Sequence, residues 1–175
     1  MNDQDIAKLV EQKVAEQLAT QEARAMTIIA SKGTLDWAYP VLILASTAAA
    51  MDLETSIFFT FYGLDILNKK KINSLKVPPI ANPAMPVPMP NILGMLPGMT
   101  AMATMMMNSW MKKANVPSLK ELLDLCIEAD VKMIACQMTM DVMGVKREDL
   151  IDECDVGGAA SYLAEAAKAQ INLFV

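Results

Sequence analysis

The strongest candidates for chemistry in this chain are its thiols. Its three cysteines, Cys126, Cys136 and Cys154, are accompanied by no histidine at all. That absence removes Ser-His-Asp and Cys-His catalysis, the HExxH metal site and most zinc sites. Acid, base and nucleophile must therefore come from Cys, Lys, Tyr or carboxylates. Cys136 stands in ACQMTMD, at the end of a short apolar run and directly before a helical pattern. Open parallel sheets bind and react at the C-terminal ends of their strands. A helix start presents unpaired N–H groups and a partial positive charge, both of which favour a thiolate. With no histidine to activate it, Cys136 would depend on the amides of Met138 and Thr139, helped by Lys32 if the loop after the first strand lies alongside. The competing reading makes Cys136 a small buried hydrophobe.

Cys126 falls near the end of the helix that feeds the strand of Cys136. That helix runs antiparallel to the strand, so the two sulfurs differ in level by about 15 Å. A disulfide needs Cα atoms within about 7 Å, so no direct Cys126–Cys136 bridge is expected within one subunit, and core packing is the expected role of Cys126. Cys154 lies among Asp152, Glu153 and Asp155, whose charges disfavour a thiolate. An odd number of cysteines without framework spacing suits free thiols in a reducing compartment. Gly157-Gly158 before a helix reads as close packing of loop and helix rather than a phosphate turn, since no GxGxxG or GxxxxGK[ST] is present. Asp36, Asp65, Asp141 and Glu148 show no spacing that suggests a metal cage or a carboxylate pair. No metal and no cofactor is expected.

The elements that must position these residues follow from periodicity. Residues 3–24 carry Ile6, Val10, Val14 and Leu18 at helical spacing. Residues 26–30 (MTIIA) read as a buried strand, 35–51 as a helix with Thr34 as N-cap and Pro40 early within it, and 56–61 (SIFFTF) as a second buried strand. A strand, a long helix and another strand imply a parallel pair with a right-handed crossover. The tail repeats this pattern. A helix over 118–130 has a capping box in Ser118 and Glu121, and a strand over 131–135 follows. After it come a helix over 138–143 ended by Gly144, a helical turn over 146–151 and a short strand near 153–156. A helix over 159–169 and a strand over 171–175 close the chain. The expectation is an α/β fold with a mostly parallel sheet of four or five strands and helices on both faces. It comprises an N-terminal helix over 1–24 and a domain over 25–175 that carries an insertion at 77–117.

That insertion is unusual in composition. No charged residue occurs from 77 to 111, residues 78–97 hold seven of the nine prolines, and residues 85–111 hold nine of the sixteen methionines. The first part cannot form a regular helix or a central strand; the second suits a Met-rich helix. So long an uncharged surface should not face water. It is expected to be covered in an oligomer or by a partner, with docking of 78–111 on a membrane surface as the first alternative and binding of Cu(I) by its thioethers as the second. The apolar run 37–51 is short for a membrane span, and the polar, acidic start MNDQDIAKLVEQ lacks the pattern of a secretion signal. A cytoplasmic location is expected, extending to the inner membrane face if the insertion docks there. A net charge of −5 argues against nucleic acid as a partner.

The segments MTIIASKGTLDWAYPVLILASTAAAMDLETSIFFTFYGLDIL, LKELLDLCIEADVKMIACQMTMDVMGVKREDLI and DVGGAASYLAEAAKAQINLFV resemble the DsrE/DsrF-like family. The likeness is closest to its branch with an apolar insertion, sometimes labelled peroxiredoxin-like. It covers roughly residues 25–175 and rests on SKG after strand one, FYG after strand two, the strand-end Cys and the VGGAA helix start. The resemblance implies an oligomeric α/β protein that carries sulfane sulfur as a persulfide. It would pass that sulfur to partners such as TusA-like carriers. The matching position is Cys136, and because the branch also tends to carry a cysteine at the position of Cys126, the resemblance implies a catalytic part for Cys126 beside Cys136. Ser31, Lys32 and Gly33, with Tyr62 and Gly63, would line the pocket together with Met138 and Thr139. Two other functions stay open at this point. One is a non-catalytic oligomeric interaction module built on the Met-rich segment. The other is a thiol redox protein, although no CxxC or peroxidatic motif is seen.

Overall fold

The computed structural model describes residues 6, 8–14, 24–78 and 98–175. Most of the Pro-rich stretch and much of the helix expected over 3–24 lie outside them. Residues 8–14 are helical (α1). Then follow β1 (Ala25–Ala30), α2 (Leu35–Ala50), β2 (Glu54–Phe59), a 3-10 turn (Phe61–Gly63) and α3 (Leu64–Leu67). After the insertion enters come α4 (Met99–Lys113), α5 (Leu119–Glu128), β3 (Lys132–Cys136), α6 (Gln137–Met143), β4 (Cys154–Gly157), α7 (Ala159–Ala166) and β5 (Ile171–Phe174). No described helix is long and apolar enough to cross a membrane.

All five strands are parallel, in the order β4-β3-β2-β1-β5. The chain steps one way from β1 to β4 and then returns across the sheet to the far side of β1. A right-handed crossover in the reversed direction places its helix on the opposite face. Accordingly α2 and α5 pack on one face, and α7 crosses the other between β4 and β1. The register divides the side chains in the same way. Ile28, Ile57, Met133 and Cys154 form one row within the main core. Ile29, Phe58 and Ile134 form the next row, beneath α7.

Local chemistry sets the element ends. The Ser118–Glu121 capping box is complete: Ser118 N–H donates to Glu121 Oε2 at 2.6 Å and Glu121 N–H to Ser118 Oγ at 3.3 Å. Ser118→Ala is expected to cost about 1 kcal/mol, read as a lowered urea midpoint; an unchanged midpoint would refute the cap's contribution. Thr34 occupies the N-cap position of α2, but its hydroxyl donates to Asp36 Oδ1 at 2.7 Å instead of capping the backbone. Gly144, at φ 66°, stops α6. β2 ends at Phe59, two residues before the expected Phe61, because Phe61 turns to φ 47° and opens a 3-10 turn. The Met-rich part of the insertion is the helix α4. It packs Ala103, Met107 and Met111 on the core and leaves Met102, Met105 and Trp110 exposed.

Candidate functional site

Three strand exits meet at the C-terminal edge of the sheet. Pairing of Phe59 with Ala135 sets Thr60 beside Cys136, the last residue of β3 and the N-cap residue of α6. Thr139, one turn into α6, is buried. Its hydroxyl lies 3.0 Å from Thr60 Oγ1 and accepts the Phe61 N–H at 3.3 Å. Thr60 N–H in turn donates to Ala30 O at 2.9 Å. The loop after β1 is pressed against the same turn. A Cβ on Gly33 would lie 2.0 Å from Tyr62 O, and one on Gly63 would lie 2.1 Å from Ala30 O. Ser31 is fixed to β5, with its N–H and Oγ both donating to Val175 O at 2.8 and 3.0 Å.

Cys136 itself is 4% exposed and sits in a small apolar cluster with Phe58 and Ile134, edged by Ile29 and Tyr162. The Phe58 and Tyr162 rings lie 5.4 Å apart, and Tyr162 Oη is 3.4 Å from Thr27 Oγ1, which donates to Asn172 Oδ1 at 2.5 Å. Gly157 pairs with Cys136 across β3 and β4. A Cβ there would meet Ser161 Oγ at 2.8 Å, so this glycine serves the close approach of α7.

The expected pocket residues Ser31, Gly33, Tyr62, Gly63 and Thr139 thus share one edge with Cys136. Met138 stands beside them and is largely exposed. Lys32 differs from expectation. Its Nζ lies 3.1 Å from the centroid of the Trp37 ring, a cation–π contact that turns its charge toward α2. Sequence reasoning missed Thr60 and Phe61, whose turn resembled more strand, and missed Ser161 and Tyr162 of the α7 wall, while Gly157 makes the close packing of loop and helix expected of it.

Cys126 is not part of this edge. It is fully buried in the main core on the other face of the sheet, where its Sγ donates to Leu42 O at 3.6 Å. Burial pushes its pKa from 9.0 up to about 11, with the Ser46 amide opposing weakly. An acid that stays protonated in the fold but ionises in the unfolded chain costs stability as pH rises between those two values. The fold should therefore lose up to about 3 kcal/mol between pH 9 and 11 through this thiol. Denaturant titrations across that range should show a shallower loss in Cys126→Ala; parallel slopes would refute the assignment. Cys154 is buried in the same core and donates to Ile151 O at 3.3 Å. Burial raises its pKa against the opposing Arg147 charge. The three thiols are free. No cluster of metal-binding side chains occurs among the described residues. A cleft of about 870 Å³ between α2, α4 and α5, lined by Tyr39, Met111, Leu119 and Glu121, contains none of the edge residues.

An open, all-parallel α/β sheet with a recessed thiol at the exit of an inner strand defines the class. The chain belongs to the DsrE/DsrF/DrsH-like family, whose profile matches residues 22–174. It is 49% identical over 160 residues to the sulfur carrier protein DsrE2 of Allochromatium vinosum, covering 88% of this chain and 99% of that protein. It is 34% identical over 166 residues to the uncharacterised protein YrkE of Bacillus subtilis, covering 89% of this chain and 99% of that one. Among solved structures it is similar to the ychN protein of E. coli, with a TM-score of 0.52, 11% identity and coverage of 87% and 99%. At that identity the likeness bears on the fold alone.

Proposed function

We propose that this protein is a sulfur carrier that holds sulfane sulfur as a persulfide on Cys136 and relays it to a partner protein. The observation that carries the reading is Cys136 at the exit of β3, at the C-terminal edge where five expected pocket residues converge. The 49% identity to a protein named as a sulfur carrier supports it. In the loading step the Cys136 thiolate attacks the sulfane sulfur of a donor. The new Cys136 S–S bond forms as the donor's bond to that sulfur breaks, and the donor leaves with the electron pair: sulfite from thiosulfate, a thiolate from an organic persulfide. In the second step an acceptor thiolate attacks the outer sulfur, and Cys136 departs as a thiolate. Neither step consumes an external oxidant. The N–H groups of Met138 and Thr139, in the first turn of α6, have no partner within the helix and are the donors that this reading assigns to the sulfur. The Lys32 ammonium lies over the Trp37 ring, 3.1 Å from its centroid, so neither step is made to depend on its charge. A TusA-like or other carrier protein is the expected acceptor, in a cytoplasmic relay. A homo-oligomer is the expected assembly, with α4 contributing its exposed methionines.

The test is intact mass spectrometry after incubation with thiosulfate or polysulfide. Whole-sulfur mass increments that a reductant removes, present in wild type, Cys126→Ala and Cys154→Ala but absent in Cys136→Ala, are expected. Increments that persist in Cys136→Ala would overturn the assignment.

A further inference from the structure

The turn after β2 combines a strained backbone with exposed aromatic rings. Phe61 adopts φ 47°, a left-handed conformation that a bulky non-glycine residue rarely takes and that persists only where surrounding contacts enforce it. A residue strained for folding's sake would be expected to bury its ring. Instead Phe61 is 55% exposed and the adjoining Tyr62 is 65% exposed. The enforcing contacts are specific. Phe61 N–H donates to Thr139 Oγ1, Thr139 Oγ1 lies 3.0 Å from Thr60 Oγ1, and Gly63 N–H returns to Thr60 O at 2.9 Å. Thr139 stands on the helix that begins at Cys136, so one hydroxyl ties the aromatic turn to the element that carries the thiol.

The chemistry of this edge favours one kind of reagent over another. Cys136 is recessed, so its reaction partner must enter past the strand exits. Among the exposed groups flanking it, Phe61, Tyr62 and Met138 are apolar in the main, while Gln137 is polar and spends its amide on the Asp141 carboxylate at 2.8 Å, which adds negative charge rather than positive to the rim. The lysine on the neighbouring loop is held by Trp37. A solvated inorganic anion gains little from such a rim, whereas a thiol borne on a polypeptide brings apolar side chains to bury against it.

We propose that Thr139 is a positioning residue that holds Phe61 and Tyr62 as an aromatic lip beside Cys136, and that this lip selects sulfur partners carried on a polypeptide thiol over small anionic ones. The proposal rests on the reading of Cys136 as the sulfur carrier and names the partner class of that site.

The test compares two acceptors of sulfur from polysulfide-loaded protein: a short peptide with one cysteine flanked by leucines, and 2-mercaptoethanesulfonate. The peptide-to-sulfonate rate ratio is expected to fall about threefold to tenfold in Thr139→Val and in Phe61→Ala/Tyr62→Ala, the range that loss of an aromatic contact converts to. Thr139→Ser should keep the ratio, because it keeps the hydroxyl. Phe61→Gly should lower the ratio without lowering the melting temperature, since glycine adopts this φ freely. An unchanged ratio in the double variant, a loss in Thr139→Ser equal to that in Thr139→Val, or both rates falling together with the melting temperature would overturn the proposal. If wild type takes up sulfur from no donor, the carrier reading fails by itself. The lip is then tested on the bare thiol, by peptide-mapped alkylation of Cys136 with N-phenylmaleimide against iodoacetate. The same fall in rate ratio supports the lip, and a constant ratio refutes it.

Discussion

Cys136→Ala is expected to abolish sulfur loading at little cost to the fold, and Cys126→Ala to do the reverse. The two thiols have similar burial and opposite surroundings. Cys136 lies in a small cluster at the sheet's edge, so removing its sulfur should cost only about 1 kcal/mol. Cys126 lies within the main core with no exposed surface and a sulfur–carbonyl hydrogen bond to Leu42. Its removal leaves a cavity and an unpaired contact, together about 2 kcal/mol. For a domain of this size that corresponds to a melting temperature lower by roughly 4–8 °C. Intact mass and thermal melts on the two variants give a crossed result: loading lost with the fold retained, and fold weakened with loading retained. A Cys126→Ala protein that melts normally but takes up no sulfur would reverse the roles assigned to the two residues.

The second large effect is expected at two glycines. Gly63 has φ −57° and ψ −24°, a conformation open to any residue, so its backbone does not demand glycine. Contact does. A Cβ at Gly63 would sit 2.1 Å from Ala30 O, and one at Gly33 would sit 2.0 Å from Tyr62 O. Both obstacles are backbone atoms, which cannot swing aside as a side chain could. The loops after β1 and β2 would have to part by about 1 Å or more to restore ordinary contact. That movement strains the Thr60–Ala30 bond and the Thr139 hydroxyl contacts with the same turn. Gly63→Ala and Gly33→Ala should each cost about 3 kcal/mol and slow loading of Cys136. A urea titration and a loading time course would show it; a wild-type midpoint in either variant would mean that the two loops are not fastened as described.

Much of this architecture could be read from the chain. The alternation of short apolar runs with longer helical patterns gave a parallel α/β sheet, because each run was too apolar for a strand with one wet face. The Ser118 capping box and the Gly144 stop appeared as expected, since both depend on a few adjacent residues. The end of β2 could not be read in the same way. SIFFTF looks like one strand, and only the tertiary contact between Phe61 N–H and Thr139 Oγ1 turns its last residues outward. The contact of Lys32 could not be read from the chain, because its partner, Trp37, is itself an unremarkable residue in the first turn of α2.

The sequence by itself determined the available chemistry. The absence of histidine narrowed acid, base and nucleophile to Cys, Lys, Tyr and carboxylates, and the strand-to-helix boundary singled out Cys136 among them. The tertiary structure decided which thiol faces which layer. A strand buried on both faces has no polar side to betray its orientation, so KMIAC alone does not say whether Cys136 shares a core with Cys126. The reversal of direction between β4 and β5 decides it. That reversal brings α7 over one face, places Cys136 beneath it, and leaves Cys126 sealed between α5 and the sheet on the other.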